Sequence, residues 1–460
     1  MAKPQVLPEA PLSDPQLAGV LADALRQVGF DAAALEAVLG GGEEQPEVFA
    51  ARAAQLPPRR GTALRLFVLG QAVSRSDAEE ALGEGFAAGL ALRVLVENDS
   101  VRATLRIVPH DVLFVASDLP ALNLADEHVA AAHAPSLTLA RLTVRKHVAR
   151  ALDIGTGNGI QALLLAQHAD HVVATDVSER ALRFTELNAA LNGRTNIETR
   201  AGSWLVPVEG ERFGSVVCSP PYVVSPGSGV LYRDGDVRGD VLSELLVRDI
   251  PAYLDDGGYA SVLVSWVPGV PGDEPLPLRW SEDSGCDSLV LALHRESARA
   301  AAAAWNPDGD LGPWLDFYRR AGIDEIAYGA VVLRRRDGEA WHEALELAGG
   351  PVGHASEHLL RVFAARESLS RGAVHQRRFM LAPDAVLQGA ELSLRSGLGL
   401  RVDLDEVGAA VLERLSPTHP AGAAFDGAAR ALRLDRATLW ERGDDLVDRL
   451  VRLGFVVVVP

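Results

Sequence analysis

Cysteine is nearly absent, with two residues, Cys218 and Cys286, in a chain of 460. A disulfide framework is thereby excluded, and a cysteine-based zinc site is not expected. Bases are outnumbered by acids, 44 to 62, and the formal net charge is −18. A chain of that charge is not a general polyanion binder, and nucleic acid would have to meet a local basic patch. Long uncharged apolar runs are lacking as well, so no bilayer span is expected. The alanine run at 300–304 follows Arg299 and stops at Asn306-Pro307. No apolar signal core follows Met1-Ala2-Lys3-Pro4-Gln5, and a cytoplasmic protein is the expectation.

The remaining composition, 48% hydrophobic and 23% charged, is that of a folded protein. The chain is too long for one ordinary core, so two to four domains are expected. Residues 1–60 read as weak helices that cap something else. Ala63–Leu69 and Ser76–Leu82 read as helices, the second capped by Ser76 with early acids Asp77 and Glu79. Leu92–Glu97, Val101–Val108 and Val112–Ala116 read as strands. Short helices before a small hairpin fit a winged-helix-like module or a plain helix-and-hairpin cap.

From Ala151 the pattern alternates. Strands are expected near Ala151–Ile154, His171–Thr175, Ile197–Arg200, Ser215–Cys218 and Tyr259–Val264, with helices at Ile160–His168 and Ser178–Leu191. Alternation of this kind implies an α/β domain with a parallel sheet covered on both faces. Later strands fall at Ser288–Leu293 and Ile326–Leu333, with a helix at Leu311–Ala321 between them; Pro268–Pro277 reads as a loop. The domain should end near Arg334–Gly338. Three domains follow: 1–127, 128–337 and 338–460. The last, over Asp403–Val459, reads helix, helix, long helix and strand, an order resembling a winged-helix fold.

Two segments carry chemistry. Asp153 ends an apolar strand, and Gly155, Thr156, Gly157 and Gly159 follow before a helix. Glycines there let backbone turn tightly and approach a ligand. The Gly-x-Gly-x-Gly spacing departs from the dinucleotide fingerprint. Asp176 closes the next strand and can accept from two hydroxyls. Downstream, Ser219-Pro220-Pro221-Tyr222 follows another strand. It suits the grip of a planar amino group, whose lone pair is delocalised and whose N–H hydrogens need acceptors. Ser219 Oγ and the Pro220 carbonyl can accept, the prolines stiffen the loop, and Tyr222 offers a ring face.

In this order the two segments resemble the class I S-adenosylmethionine-dependent methyltransferases that act on nitrogen, over roughly residues 135–335. The resemblance implies a Rossmann-like sheet and S-adenosylmethionine as cofactor. It implies Asp176 on the ribose hydroxyls, Asp153 beside the amino acid part, and Ser203 and Trp204 near adenine, where many members carry an acid in place of Ser203. The first residue of the four-residue motif is Asn, Asp or Ser in these families. Asn is typical of release-factor glutamine enzymes, Asp of DNA adenine enzymes and Ser of DNA cytosine-N4 enzymes. Ser219 therefore leans toward cytosine N4, and with the basic patch at Arg141–Arg150 and the winged-helix-like modules the expected acceptor is the amino group of a nucleic-acid base, cytosine N4 or adenine N6 in DNA, or an RNA base. Such a base would have to be single-stranded or flipped out. A protein glutamine is the alternative acceptor, and a non-catalytic cofactor-binding module is a third reading.

Several further features are expected to matter less or to lend support. Arg141, Arg145, Lys146 and Arg150, beside the glycine loop in sequence, could hold phosphates or serve as helix-end charges. The polar stretch 225–240 reads as a loop, either over substrate or solvated. Cys218 reads as a small buried residue rather than a nucleophile. His354-Ala355-Ser356-Glu357-His358 matches His-x-x-Glu-His spacing, but a zinc site is not expected there.

Overall fold

The computed structural model describes residues 7–40, 46–120, 127–221, 223–226, 240–269, 275–306, 309–347, 352–369 and 372–459. Its centre is an eight-stranded sheet: β1 (Val148–Ile154), β2 (Ala169–Asp176), β3 (Ile197–Ala201), β4 (Phe213–Cys218), β5 (Leu254–Trp266), β6 (Cys286–Ser297), β7 (Glu325–Arg335) and β8 (His342–Glu346). Neighbours run in the order β8-β6-β7-β5-β4-β1-β2-β3. Only β7 is antiparallel to its neighbours. The strand order reverses between β1 and β4, the kind of switch point where open α/β sheets form a ligand crevice. The architecture is mixed α/β and Rossmann-like.

Both faces are dry, as near-continuous apolar strands require. Successive residues of one strand feed opposite cores. Ala151, Val172 and Val217 face one core with Leu139, Leu142 and Phe363. Leu152, Val173 and Val216 face the other with Leu246, Val247 and Ile250. The strands expected in this sheet are all present and run longer than the apolar patterns suggested. The sheet also extends past Gly338: β8 pairs in parallel with β6, and the helix Ser356–Leu369 packs Leu359, Val362 and Phe363 onto the sheet.

Among the helices bordering the crevice are α1 (Ala134–Leu142), α2 (Ile160–Leu165) and α3 (Glu179–Leu191). Ser178 caps α3 by accepting from the Ala181 amide. α2 is shorter than the expected Ile160–His168.

Ahead of the sheet lie helices and two hairpins. The expected helix at Ala63–Leu69 is Pro58–Phe67, and the next, Arg75–Leu82, is capped by Ser74 rather than Ser76. The strand expected over Val101–Val108 breaks in two. Val101–Ala103 pairs with Leu95–Glu97, while Arg106–His110 pairs with Leu113–Ser117. At the break, Thr104 turns aside to bond the Val94 and Arg93 carbonyls. At the far end, helices Glu406–Leu412, Ala421–Leu432 and Arg436–Arg452 and strand Val456–Val459 occur in the expected order. That strand pairs with Arg378–Leu381, beside a three-stranded sheet over residues 385–403. Between Pro268 and Pro277 the described part ends in a helix, Leu276–Ser281, so the stretch is not all loop.

Candidate active site

Parallel strands end together, and register decides which ends meet. Ile154 is paired with Thr175 of β2 on one side and Cys218 of β4 on the other. Gly155, Asp176 and Ser219, the next residues along, therefore converge on one edge. They open into a cleft of about 510 Å³ that Asp153, Gly155, Thr156, Gly157, Asp176 and Trp204 line, together with Ser219, Pro220 and Pro221. Both sequence segments thus share one cavity. Tyr222 and residues 227–239, which include most of the stretch 225–240, lie outside the described residues. Ser203 is exposed and is not among the lining residues, whereas Trp204, with a positive φ of 52°, is.

The three loop glycines do different work. Gly155 and Gly157 have φ of 67° and 57°, and an added Cβ would meet nothing within 4 Å. They keep left-handed backbone with open space beside it. At Gly159, φ 79°, a Cβ would stand 2.9 Å from Thr185 Cγ2 of α3. That glycine lets α2 and α3 pack closely.

The acids hold the loop as well as facing the cleft. Asp153 Oδ2 accepts from Thr156 Oγ1 at 2.7 Å and from the Ala162 amide at 3.0 Å. Burial pushes its pKa up to about 7, against those two bonds. Asp176 Oδ2 accepts from the Gly157 amide at 3.0 Å and Oδ1 from the Ser178 amide at 2.9 Å, and burial raises its pKa too. Each Asp176 oxygen retains a lone pair for a hydroxyl. Thr175 Oγ1, also in the lining, is buried with no hydrogen-bond partner among the described residues. An orphaned hydroxyl, a carboxylate and open glycine backbone form a wall suited to a nucleoside with an amino acid tail, and the residues present fit S-adenosylmethionine.

The second segment is fixed from behind. Beyond the motif, Val223 and Val224 pack with Ala301, Ala302 and Trp314, and Tyr318 Oη donates to the Val224 carbonyl at 2.7 Å. Trp305, from the same cluster, lines the cleft. Cys218 is fully buried, and burial followed by the Asp153 charge holds its thiol well above the ordinary range. It behaves as an apolar residue, as expected.

Much of the roof was not foreseen. Arg106, Asp118, Glu127 and His128 line the cleft from segments before the sheet. What brings them there is a polar seam on α3. The Asn188 side chain bonds the Ala116 N–H and C=O, and Asn192 bonds those of Phe114. Two strand residues span about 6.8 Å and four helix residues about 6 Å, so amides four apart on a helix can pair with a strand edge. Asn188 also reaches the Asn158 carbonyl at 2.7 Å, and Arg180 makes a buried bidentate pair with Asp118. Asparagines recurring every fourth residue inside an apolar helix face were the one available sign.

The basic residues and the histidine pair stand apart from the cleft. Arg141 lies in the last turn of α1, in line with a helix-end charge, Arg145 and Lys146 lie between α1 and β1, and Arg150 of β1 is five strand residues, about 16 Å, from the glycine loop. Arg150 pairs with Glu211 and lies 4.7 Å over the Phe213 ring. Sequence nearness misled because a strand separates its two ends. Among the described residues no cluster of metal-binding side chains occurs, and both ring nitrogens of His358 are taken by backbone. Its Nδ1 accepts from the Leu398 amide, so Nε2 carries the proton and donates to the Leu453 carbonyl at 2.7 Å.

Among curated proteins, the release factor glutamine methyltransferase of Xylella fastidiosa is 34% identical over 134 residues, 26% of this chain and 48% of that protein. The ribosomal protein L11 methyltransferase of Lactobacillus helveticus is 32% identical over 124 residues, 26% of this chain and 32% of that protein. The chain spans about half, or less, of the length of these relatives. A methyltransferase structure from Pyrococcus furiosus is 17% identical, with a TM-score of 0.28 over 44% of this chain and 81% of that one; so weak a likeness carries no argument. Residues 129–258, which hold the glycine loop and the Ser219 segment, match the family model of the methyltransferase small domain.

Proposed function

We propose that this protein is an S-adenosylmethionine-dependent methyltransferase acting on a planar nitrogen, with a glutamine side chain of a protein as its acceptor. The observation that carries the reading is the strand register that sets Ser219-Pro220-Pro221 beside Gly155 and Asp176 in one cleft. Two curated relatives named for protein substrates support a protein acceptor. When bound, the cofactor supplies an electrophilic methyl group on a sulfonium.

The chain's own residues position and accept. Asp176 takes the ribose hydroxyls, Gly155 and Gly157 leave room for the amino acid part, and Trp204 flanks adenine. Asp153 holds the loop in shape through Thr156 and Ala162 and reaches the cofactor through that loop. An amide nitrogen is a weak nucleophile. Ser219 Oγ and the Pro220 carbonyl accept its N–H hydrogens as it pyramidalises, and fixed prolines keep those acceptors in place. The half-buried setting of Ser219 limits water there.

The amino group of a nucleic-acid base is the second reading. Ser219 itself favours it, since serine in this position resembles the cytosine-N4 enzymes. The displaced basic patch lends it nothing. Labelled methyl from S-adenosylmethionine, offered to cell extract split into protein, RNA and DNA, tests both. Label in protein that falls about 100-fold or more in Ser219→Ala, with cofactor affinity kept, is the expected result. Label confined to nucleic acid would overturn the protein reading, and full activity of Ser219→Ala would remove that residue from the chemistry.

A further inference from the structure

Among the described residues, Arg106 is the only lysine or arginine lining the cleft. It opens the strand Arg106–His110, paired with Ser117, which precedes Asp118. The obvious partner is taken: Asp118 is held by both arms of Arg180 and by the Val129 amide. No hydrogen bond or ion pair reaches Arg106 from the described residues, and its Nε is buried without an acceptor. Burial lowers its pKa, yet a guanidinium stays charged at neutral pH. Arg106 is half-buried, and even partial withdrawal of a permanent cation from water without a counter-ion is costly. Such a group persists where a ligand supplies the anion.

The other walls narrow which anion. Asp176 meets the ribose hydroxyls, and the open backbone at Gly155 and Gly157 leaves room for the amino acid part. S-adenosylmethionine carries a sulfonium, an α-ammonium and a single anionic group, its α-carboxylate. The strand paired with Arg106–His110 packs Leu113 and Val115 on Ile160 and Leu163 of α2, the helix that follows the glycine loop. We propose that Arg106 is the counter-ion of the cofactor's α-carboxylate, so that the N-terminal segment completes a cofactor site otherwise built on the central sheet. The assignment rests on the cofactor reading above.

Calorimetric titration of the full chain with two ligands tests it. One is S-adenosylmethionine; the other is decarboxylated S-adenosylmethionine, which keeps the sulfonium and ammonium. The unaltered chain should bind the decarboxylated ligand about 10- to 100-fold more weakly. Arg106→Gln should lose that factor for S-adenosylmethionine alone, and Arg106→Lys should recover part of it. Equal affinity of the unaltered chain for both ligands overturns the proposal without any variant. So does an Arg106→Gln that still discriminates, or that weakens both ligands equally. Failure of the unaltered chain to bind either ligand overturns the cofactor reading and this assignment together.

Discussion

At the residue scale, Asp153 shows how one side chain serves structure and site at once. It is buried, and its pKa rises to about 7 because burial outweighs the bonds from Thr156 and Ala162. A carboxyl raised in the folded state binds protons there that the unfolded chain has released. Its contribution is therefore complete below about pH 4 and is lost as pH rises through about 7, on the order of 4 kcal/mol at most. Asp176 pulls the same way. We expect Asp153→Asn to flatten the decline in stability between pH 4 and 8, read from urea midpoints at each pH. An unchanged slope would mean that the carboxylate is ionised and solvated. The glycines and the Ser219 motif were legible at this scale because positive φ and proline rigidity are local demands. Ser203 was not: which of two adjacent residues faces the cleft depends on a left-handed turn at Trp204.

At the element scale, the seam between α3 and strand Leu113–Ser117 joins the N-terminal segment to the glycine loop. Asn188 is fully buried and serves Ala116 N–H, Ala116 C=O and Asn158 C=O. Asn188→Ala would leave those groups without partners, each costing about 1–3 kcal/mol. Expected are a stability loss of about 3 kcal/mol or more by urea unfolding and weaker binding of S-adenosylmethionine, since Asn158 belongs to the loop. A variant with the wild-type midpoint would show that the seam carries no stability. The helix and its Ser178 cap could be read from the sequence. The partner could not, because a hydrogen bond spanning 72 residues leaves no local periodicity.

At the scale of the whole molecule, the helix Ser356–Leu369 couples the sheet to the C-terminal module. Its His358 is buried and neutral, bonding Leu453 and Leu398, with a pKa lowered to about 4 chiefly by burial. An unfolded histidine titrates near 6.5. Between those values the unfolded state holds more protons, so stability is lost as pH falls from about 6.5 to 4, on the order of 3 kcal/mol. Amide protection factors in strand Val456–Val459, corrected for the intrinsic pH dependence of exchange, should fall over that range in the unaltered chain and stay level in His358→Gln. Parallel behaviour of the two would assign the acid sensitivity elsewhere.

The sequence by itself determined the α/β alternation, the positions of the central strands, the glycine loop and the Ser-Pro-Pro segment. Each of these follows from side-chain periodicity or from backbone conformations that few residues allow. Only the tertiary structure decided that both segments open into one cleft, because that depends on strand register. It likewise placed Arg106 and Asp118 in the roof and the basic residues at the far end of β1. It also gave His358 to packing rather than to a metal. Those outcomes rest on contacts between residues far apart in the chain, where burial and pairing are settled by the whole fold.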